Sequence, residues 1–351
     1  MKREYKKIFL IFISILWILN FLGCKQVEIP TISPEIKTDI LIIYSNDSFV
    51  KGELVDIIIE EFENLYECTV ILRSFGDSDI LLNRLIFERE NPQADIAIGI
   101  LSTQIDRVLR ANIFMPNDPD IFANISDRSL ILDRRHRLIP YNYDYYAFVY
   151  DTEVLHTPPV TFGEMQSSIW NHKILVTDPR ISSTGQGLLM WSLGIFGERG
   201  FDMFWSSLKS NILTVSVGQS EAYIAFQAGE APIILSYITT PFYHIEVEKT
   251  DRFSAYIPLE GRLKEIEFAG ILNGSENLYL ARRFIEFMLS YEFQSLLPTT
   301  LWKFPVVEGI ELPESFANIQ LPERDLSERI FDRTEYLNDS WAEQWMNIPA
   351  R

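Results

Sequence analysis

The fold is predicted by residues 39–99, DILIIYSNDSFVKGELVDIIIEEFENLYECTVILRSFGDSDILLNRLIFERENPQADIAIG. Apolar runs indicate strands at residues 39–44, 68–75 and 94–99. The two segments between these runs carry apolar residues at helical spacing, so the order is β-α-β-α-β. This order is typical of a parallel sheet covered by helices. Such a sheet binds ligands beyond the carboxyl ends of its strands, and Asn46 and Asp77 follow the first two strands.

A second α/β pattern begins near Tyr141. Its predicted strands are 173–177, 213–216 and 233–237, and its predicted helices are 187–196, 201–208 and 221–228. Beyond these we predict strands at 256–258 and 267–272, an amphipathic helix over 278–288 and a less regular segment over 309–351.

We therefore predict an α/β fold with two lobes, a ligand cleft between them, and a hinge that the chain crosses more than once. The tyrosine-rich residues 141–151 are expected at a crossing between the lobes. The predicted boundaries are 38–140 with 241–289 for lobe 1, and 141–240 with 290–351 for lobe 2.

Residues 1–24 have the pattern of an export signal. A basic start precedes an apolar run from Ile8 to Leu19, which is shorter than the roughly 20 residues that a spanning helix needs. The segment resembles a bacterial lipoprotein signal in which Cys24 is lipidated, and the alternative is an uncleaved N-terminal anchor. Both place the body of the protein outside the cytoplasm, on the periplasmic face of a membrane, with residues 25–37 as a linker.

The charge and the cysteine content exclude several classes of protein. A net charge of −18 argues against binding to nucleic acid, whose phosphates require a positive surface. With Cys24 lipidated, Cys68 has no partner for an intrachain disulfide, and its place in a predicted strand indicates a buried, inert thiol. The four histidines have no metal-ligand spacing, and no nucleophile elbow or dinucleotide motif occurs. The sequence therefore predicts a protein that is not an enzyme and holds no metal or cofactor.

A strand that ends in rings and hydroxyls is the first candidate binding segment. Residues 236–244, SYITTPFYH, follow the apolar run 232–235. Aromatic rings and hydroxyls at a strand end suit a polar, ring-shaped ligand. The alternative is a solvated loop with one packed tyrosine.

Three further features complete the candidate site. Residues 178–187, DPRISSTGQG, follow a strand and precede an apolar helix, so they form either an anion site at the helix start or an ordinary cap. Asp77 either caps a helix or accepts hydrogen bonds from an amino-substituted ring and offsets a ligand cation. Trp302 is either a core residue or a stacking wall.

Taken together, these segments resemble the periplasmic thiamine-binding proteins of bacterial ABC importers, from about Ile40 to the C-terminus. The matching stretches are residues 47–49, 81–85, 94–95, 147–151, 178–180, 220–223, 235–237 and 243–244, Trp302, and residues 305–306. Each stretch is short, and their shared order and spacing carry the resemblance.

The resemblance implies a monomeric, two-lobed protein of the type II periplasmic-binding-protein fold. Such a protein delivers thiamine, its monophosphate or its diphosphate to a membrane permease with its ATPase, and the ligand is cargo rather than a cofactor. By resemblance, Asp77 engages the aminopyrimidine. The rings that enclose the ligand are Tyr237, Tyr243 and Trp302. The residues at its hydroxyl or phosphate end are Ser182, Ser183, Thr239 and Thr240.

The sequence departs from the family pattern at several positions. Asn46 replaces tyrosine, Gln219 replaces tryptophan, Ser78 replaces glycine and Ile238 replaces threonine. Two rings are thereby lost and one polar group is gained near the expected ligand tail. We therefore predict a shifted preference among thiamine and its two phosphates.

Three competing functions remain open at this level. A ferric-ion carrier of the same broad fold would use tyrosinate oxygens, from Tyr145 and Tyr146 or from Tyr237 and Tyr243. A thiamine-degrading transferase would need a nucleophilic cysteine in the cleft. A structural or adhesive lipoprotein would need none of these groups.

Overall fold

The computed structural model describes residues 39–333 and 340–349. The strands are β1 (Ile40–Ser45), β2 (Thr69–Ser74), β3 (Ile96–Leu101), β4 (Ile139–Asp151), β5 (Ile174–Thr177), β6 (Ile212–Ser216), β7 (Ile233–Tyr237), β8 (Phe253–Tyr256), β9 (Lys264–Ile271) and β10 (Phe304–Pro305). The helices are α1 (Leu54–Tyr66), α2 (Ser78–Phe87), α3 (Ile105–Ala111), α4 (Phe162–Met165), α5 (Ser183–Leu208), α6 (Gln219–Gln227), α7 (Thr240–Tyr243), α8 (Leu278–Met288), α9 (Tyr291–Thr300), α10 (Glu314–Ala317), α11 (Ser327–Phe331) and α12 (Ser340–Asn347).

The predicted export signal, including Cys24, and the predicted linker lie outside the described residues. Within residues 39–333 and 340–349, no helix has the length and apolar character needed to cross a membrane.

The strands form one sheet in the order β2-β1-β3-β9-β4-β7-β5-β6, and β8 and β10 each pair with β4. The sheet has two parallel parts, since β1 pairs in parallel with β2 and β3, and β5 does so with β6 and β7. Strand β9 is antiparallel to both β3 and β4, and β4 is antiparallel to β7. The predicted α/β class is therefore confirmed, with antiparallel strands where the two parallel parts meet.

Strand β4 joins the two parts of the sheet. Its residues from Ile139 to Tyr145 pair with β9, and those from Tyr146 onward pair with β7. The tyrosine-rich segment is thus the continuous strand that passes from one part to the other, and its residues are buried or half-buried.

The core lies between the sheet and its helices. Every residue of β3 is buried, as expected for a strand covered on both faces. On α1, Leu54, Ile58 and Phe62 are buried at a spacing of four residues, which places them on one face of the helix. The aromatic ring of Phe62 contacts Phe284 on α8 with a centroid distance of 4.8 Å.

Several local predictions were wrong. The segment after β7 is not an open loop, because Thr240–Tyr243 form a short helix and His244–Glu248 continue it as a π-helical turn. Pro241 stands in its first turn, where its missing N–H costs no helical hydrogen bond. The two helices predicted over 187–208 form one helix with a kink at Gly197, whose φ is +65°.

Cys68 lies just before β2 and is half-buried, rather than buried within the strand. Burial raises the pKa of its thiol, and the carboxylates of Glu63 and Asp39 raise it further. The thiol therefore stays protonated near neutral pH, which agrees with the prediction of an inert side chain.

Candidate ligand-binding site

The carboxyl ends of the parallel strands carry most of the predicted site residues. Asn46 follows β1, Asp77 follows β2, Ser182 follows β5, Gln219 follows β6 and Thr239 follows β7. This is the edge at which open α/β sheets bind ligands.

The two parallel parts of the sheet approach each other at Gly218, which precedes α6. A Cβ atom on Gly218 would lie 3.5 Å from Asp77 Oδ2 and 2.8 Å from Glu221 Oε2. Both carboxylates therefore lie next to Gly218. Asp77 comes from the first parallel part and Glu221 from the second, so the two parts contribute acidic groups to one place.

The Asp77 side chain is exposed and does not cap α2, although the residue stands at the N-cap position. Partial desolvation raises the pKa of the Asp77 carboxyl, and the charges of Glu221, Asp47 and Asp79 raise it further, against a smaller opposing effect of Lys51. A cation or an amino group placed at Asp77 would relieve this repulsion.

Asn46 and Ser78 support the loops around Asp77. Asn46 Nδ2 donates to Ser78 Oγ at 2.8 Å and to the Gly99 carbonyl at 3.1 Å. Asn46 Oδ1 accepts from Ser48 Oγ at 2.9 Å and from Phe49 N at 3.0 Å. All the hydrogen-bonding capacity of this amide is thus used inside the protein. Asn46 therefore stabilises the surrounding loops and is not a free polar group.

The start of α5 packs closely against β5 and has no side-chain cap. Ser182 is buried, and its hydroxyl donates to Thr177 Oγ1 at 3.0 Å instead of capping the helix. A Cβ on Gly185 would lie 2.5 Å from the Thr177 carbonyl, so glycine lets the helix approach β5. Ser183 is half-buried as the first helical residue. In the first turn of a helix the backbone N–H groups have no intrahelical acceptor, so this turn retains the capacity to bind an anion.

The two threonines after β7 are engaged inside the protein. Thr239 is buried and donates to Asp144 Oδ2 at 2.5 Å. Thr240 Oγ1 lies 2.9 Å from Ser236 Oγ and accepts from the Tyr237 backbone N–H at 3.2 Å. Both hydroxyls therefore hold the turn between β7 and α7.

Tyr243 and Trp302 form what we call the aromatic corner. Their rings meet edge to face, with centroids 6.2 Å apart and planes at 82°. Tyr243 is 42% exposed, which leaves its ring accessible. Trp302 is half-buried and has a φ of +56°, a left-handed conformation that non-glycine residues rarely adopt.

A buried polar cluster lies beside the aromatic corner, and sequence reasoning missed it. We call it the polar cluster. Its charged members are Asp144, Glu265, Glu267 and Lys303, and its phenols are Tyr141, Tyr146 and Tyr237.

The tyrosines of the cluster donate to its carboxylates. Tyr146 Oη donates to Glu265 Oε1 at 2.5 Å, and Tyr141 Oη donates to Glu267 Oε2 at 2.5 Å. The Tyr237 hydroxyl is also hydrogen-bonded to Glu265, and it interacts with Thr184 in the first turn of α5. These interactions of its hydroxyl hold the Tyr237 side chain in place.

Lys303 is the cation of the polar cluster. Its Nζ lies 3.6 Å from Asp144 Oδ2 and 3.9 Å from Glu267 Oε1. The same atom lies 3.8 Å from the centroid of the Tyr237 ring, so one face of that ring already carries a cation.

Burial and the neighbouring charges change the pKa values of Asp144, Glu265 and Lys303 in the polar cluster. Burial raises the pKa of Asp144 to about 6, although Lys303 lowers it, and burial also raises the pKa of Glu265. Burial alone would lower the pKa of Lys303, but the three neighbouring carboxylates together raise it. Lys303 is therefore protonated, and three carboxyl groups share its single charge.

Gln219 is the first residue of α6. Its Nε2 donates to the Leu235 carbonyl at 3.1 Å. Its Oε1 is buried and finds no hydrogen-bond donor among the residues that the structure describes. A buried acceptor without a donor is costly, so a ligand that donates a hydrogen bond here would be favoured.

No group of three or more His, Cys, Asp or Glu side chains is arranged to hold a metal ion within the described part of the chain.

Comparison with known proteins identifies the family and agrees with the fold. A profile of the family of bacterial extracellular solute-binding proteins matches residues 91–325. The thiamine-binding periplasmic protein of Brucella abortus biovar 1 (strain 9-941) is 35% identical, covering 89% of this chain and 93% of that protein. The thiamine-binding periplasmic protein of Escherichia coli (strain K12) is 31% identical, covering 93% of this chain and 99% of that protein.

Solved structures show the same relationship. A periplasmic thiamin binding protein superimposes with a TM-score of 0.79 at 31% identity, covering 89% of this chain and 96% of that chain. The apo ferric ion-binding protein A of Pasteurella haemolytica superimposes with a TM-score of 0.74 at 16% identity, covering 88% of this chain and 98% of that chain, and at this identity it shows the fold alone. The predicted type II fold is thus confirmed.

Proposed function

The chain belongs to the family of bacterial extracellular solute-binding proteins, and we propose that it binds thiamine or a thiamine phosphate and delivers it to an ABC permease. Relatives named as thiamine-binding periplasmic proteins match nearly the whole chain, in agreement with the predicted resemblance. The observation that carries the proposal is the exposed Asp77 carboxylate, which does not cap its helix and approaches Glu221 across Gly218.

Asp77 suits the aminopyrimidine and the positive charge of thiamine. A carboxylate accepts hydrogen bonds from an exocyclic amine, and it is stabilised by a cation when other carboxylates surround it. The neighbouring charges of Glu221, Asp47 and Asp79 make this a favourable place for a cationic ligand.

The aromatic corner suits the rings of the ligand. Tyr243 and Trp302 present ring surface next to one another, and a ring over a cationic heterocycle contributes about 0.5–2 kcal/mol. Tyr237, whose hydroxyl is hydrogen-bonded to Glu265, supports this corner through Lys303, the residue after Trp302.

The first turn of α5 and Gln219 favour different chemical groups at the tail of the ligand. The backbone N–H groups of the first turn, which begins at Ser183, favour a phosphate oxygen, whereas the Gln219 acceptor favours a free hydroxyl. We infer that Gln219 shifts the preference toward unphosphorylated thiamine.

The proposed role is that of a carrier and not of an enzyme. Cys68 lies at the amino end of β2, whereas the candidate site lies at the carboxyl ends of the strands. β2 has six residues at about 3.3 Å each, so the thiol is roughly 20 Å from the site. Tyrosinate binding of iron is also disfavoured, because the hydroxyls of Tyr146 and Tyr237 are already hydrogen-bonded to Glu265. The proposed location is the periplasmic face of the membrane, and lipidation of Cys24 stays a prediction.

Calorimetric titration of residues 25–351 with thiamine, its monophosphate and its diphosphate tests the proposal. We expect submicromolar binding of at least one ligand and a loss of at least tenfold in affinity for Asp77→Ala. The matched control is Glu61→Ala, which removes an exposed carboxylate on α1. If none of the three ligands produces heat, the thiamine assignment is wrong, and ferric iron becomes the next titrant.

A further inference from the structure

A groove of about 760 Å³ follows strand β8, apart from the candidate ligand site. One wall is formed by Pro241, Phe242, Ile245 and Glu246, and the other by residues 314, 315 and 318–322. Neither Tyr243 nor Trp302 lines it, so the groove is a separate surface.

Strand β8 is a sheet edge in the described part of the chain, where it pairs only with β4. The Thr152 N–H donates to the Arg252 carbonyl at 2.8 Å, so these two residues form a hydrogen-bonded pair of the antiparallel ladder. Hydrogen-bonded pairs alternate in such a ladder, so the peptide groups of residues 254 and 256 point to β4. Those of residues 253, 255 and 257 point away from it.

The groove runs along this edge. Consecutive residues from Phe253 to Ile257 all line it. Side chains of a strand alternate between the two faces of the sheet, so a groove over one face would be lined by every second residue. A lining by consecutive residues indicates that the outward-pointing peptide groups border the groove.

The chemistry of the groove is apolar and acidic. Leu259 is 66% exposed and Ile245 is 40% exposed. The charged residues of its lining are Glu246 and Glu314, and among the described residues that line it there is no lysine, arginine or histidine. Sheet edges are usually protected by lysine, proline or a bulge, and β8, with the sequence FSAY, has no lysine or proline.

We propose that the β8 groove binds an extended segment of a partner protein, with apolar side chains alternating with polar ones and at least one lysine or arginine. The segment would add a strand to β8, as peptides do when they bind to an open sheet edge. Residues 253–257 accommodate about five residues of extended chain, or roughly 16 Å. The acidic lining selects a basic segment, and the net charge of −18 disfavours a second copy of this chain.

Fluorescence anisotropy with blocked eight-residue peptides on the full folded chain tests the proposal. The probes alternate valine with lysine or threonine, and matched peptides carry N-methyl groups on the peptide nitrogens of one edge or the other. We expect micromolar binding that is lost at least tenfold when the pairing edge is methylated and retained when the opposite edge is methylated.

The matching protein variant is Ala255→Pro. Proline removes an outward N–H and leaves the ladder with β4 intact, so we expect at least a tenfold loss of peptide affinity. Ala255→Val, which keeps the N–H, is the control. The double variant Glu246→Lys, Glu314→Lys should bind basic peptides several-fold more weakly and acidic peptides more strongly.

Three results would overturn the proposal. They are no binding of any alternating basic peptide at millimolar concentration, binding that is indifferent to the edge that is methylated, and a preference of the unaltered protein for acidic peptides. The methylated peptides act on the unaltered protein, so the test stands even if Ala255→Pro does not fold. Thiamine titration of the same sample reports separately on the candidate ligand-binding site.

Discussion

The aromatic corner and the polar cluster are both built around tyrosine, but they use it in different ways. Tyr243 is 42% exposed and meets Trp302 edge to face. Tyr237 has its hydroxyl hydrogen-bonded to Glu265 and the Lys303 ammonium on its ring. The two residues stand six positions apart, yet one is available to a ligand and the other supports the fold. We therefore expect substitutions in the corner to change affinity and substitutions in the cluster to change stability.

The largest expected effect is that of Lys303→Met. Removing the ammonium leaves Asp144, Glu265 and Glu267 without a cation, and breaking a buried ion pair in this way costs about 3–5 kcal/mol. Urea unfolding at pH 7 measures the change in the free energy of unfolding. The matched control is Lys249→Met, which removes an exposed lysine. A loss below 1 kcal/mol would contradict the structural role of the cluster.

A smaller effect is expected from pH, through Asp144. Burial raises the pKa of Asp144 from 3.8 in the unfolded chain to about 6 in the folded protein. The folded state therefore holds this proton more tightly. The resulting stabilisation is present below pH 4 and is lost as the pH rises to about 6. The difference amounts to at most about 3 kcal/mol.

Urea unfolding between pH 4 and pH 7 tests this linkage. The difference in unfolding free energy between the unaltered chain and Asp144→Asn should change by about 2–3 kcal/mol across that range. Asp251→Asn, at an exposed position, is the control. If the free energy of unfolding depends on pH in the same way for the unaltered chain and for Asp144→Asn, the assignment of this titration to Asp144 is wrong.

The sequence predicted the fold well because its signals are local. The runs around Ile43, Leu72 and Ile98 are apolar, and the segments between them have helical spacing, so strand and helix types follow from periodicity. The order of strands in the sheet does not follow from it, since β9 joins β3 to β4 across more than 100 residues of chain. The short helix at Thr240–Tyr243 was missed because Pro241 is read as a break, although it also starts helices.

The candidate site could be predicted only in part. Asp77 and Trp302 were predicted as site residues from their positions at element ends and from the family resemblance, and their roles stay predictions. The polar cluster was not, because Glu265 and Glu267 alternate along β9 in a pattern that usually marks a solvent-facing side of a strand. Strand β9 is buried along its whole length between β3 and β4. The compensating cation, Lys303, follows Glu267 by 36 residues, and a single sequence does not reveal this long-range pairing.

Substitution of the aromatic corner should separate affinity from stability. Trp302→Ala and Tyr243→Ala are each expected to reduce thiamine affinity by about 1–2 kcal/mol, or roughly five- to thirtyfold, because each removes one ring. The free energy of unfolding should change by less than about 1 kcal/mol for Tyr243→Ala, whose side chain is already exposed. Calorimetric titration and urea unfolding measure the two quantities. Tyr291→Ala, 54% exposed on α9, is the control.

The smallest expected effect concerns the choice between ligands at Gln219. Its Oε1 is a buried acceptor with no donor among the described residues, so a ligand hydroxyl would satisfy it and a phosphate oxygen would not. Gln219→Met removes this acceptor. We expect it to reduce the preference for thiamine over thiamine monophosphate by about 1 kcal/mol, or roughly fivefold. Gln227→Met, exposed at the other end of α6, is the control. An unchanged ratio of the two dissociation constants would show that the ligand tail does not reach Gln219, and the free amides of α5 would then be the remaining candidate for recognising the tail.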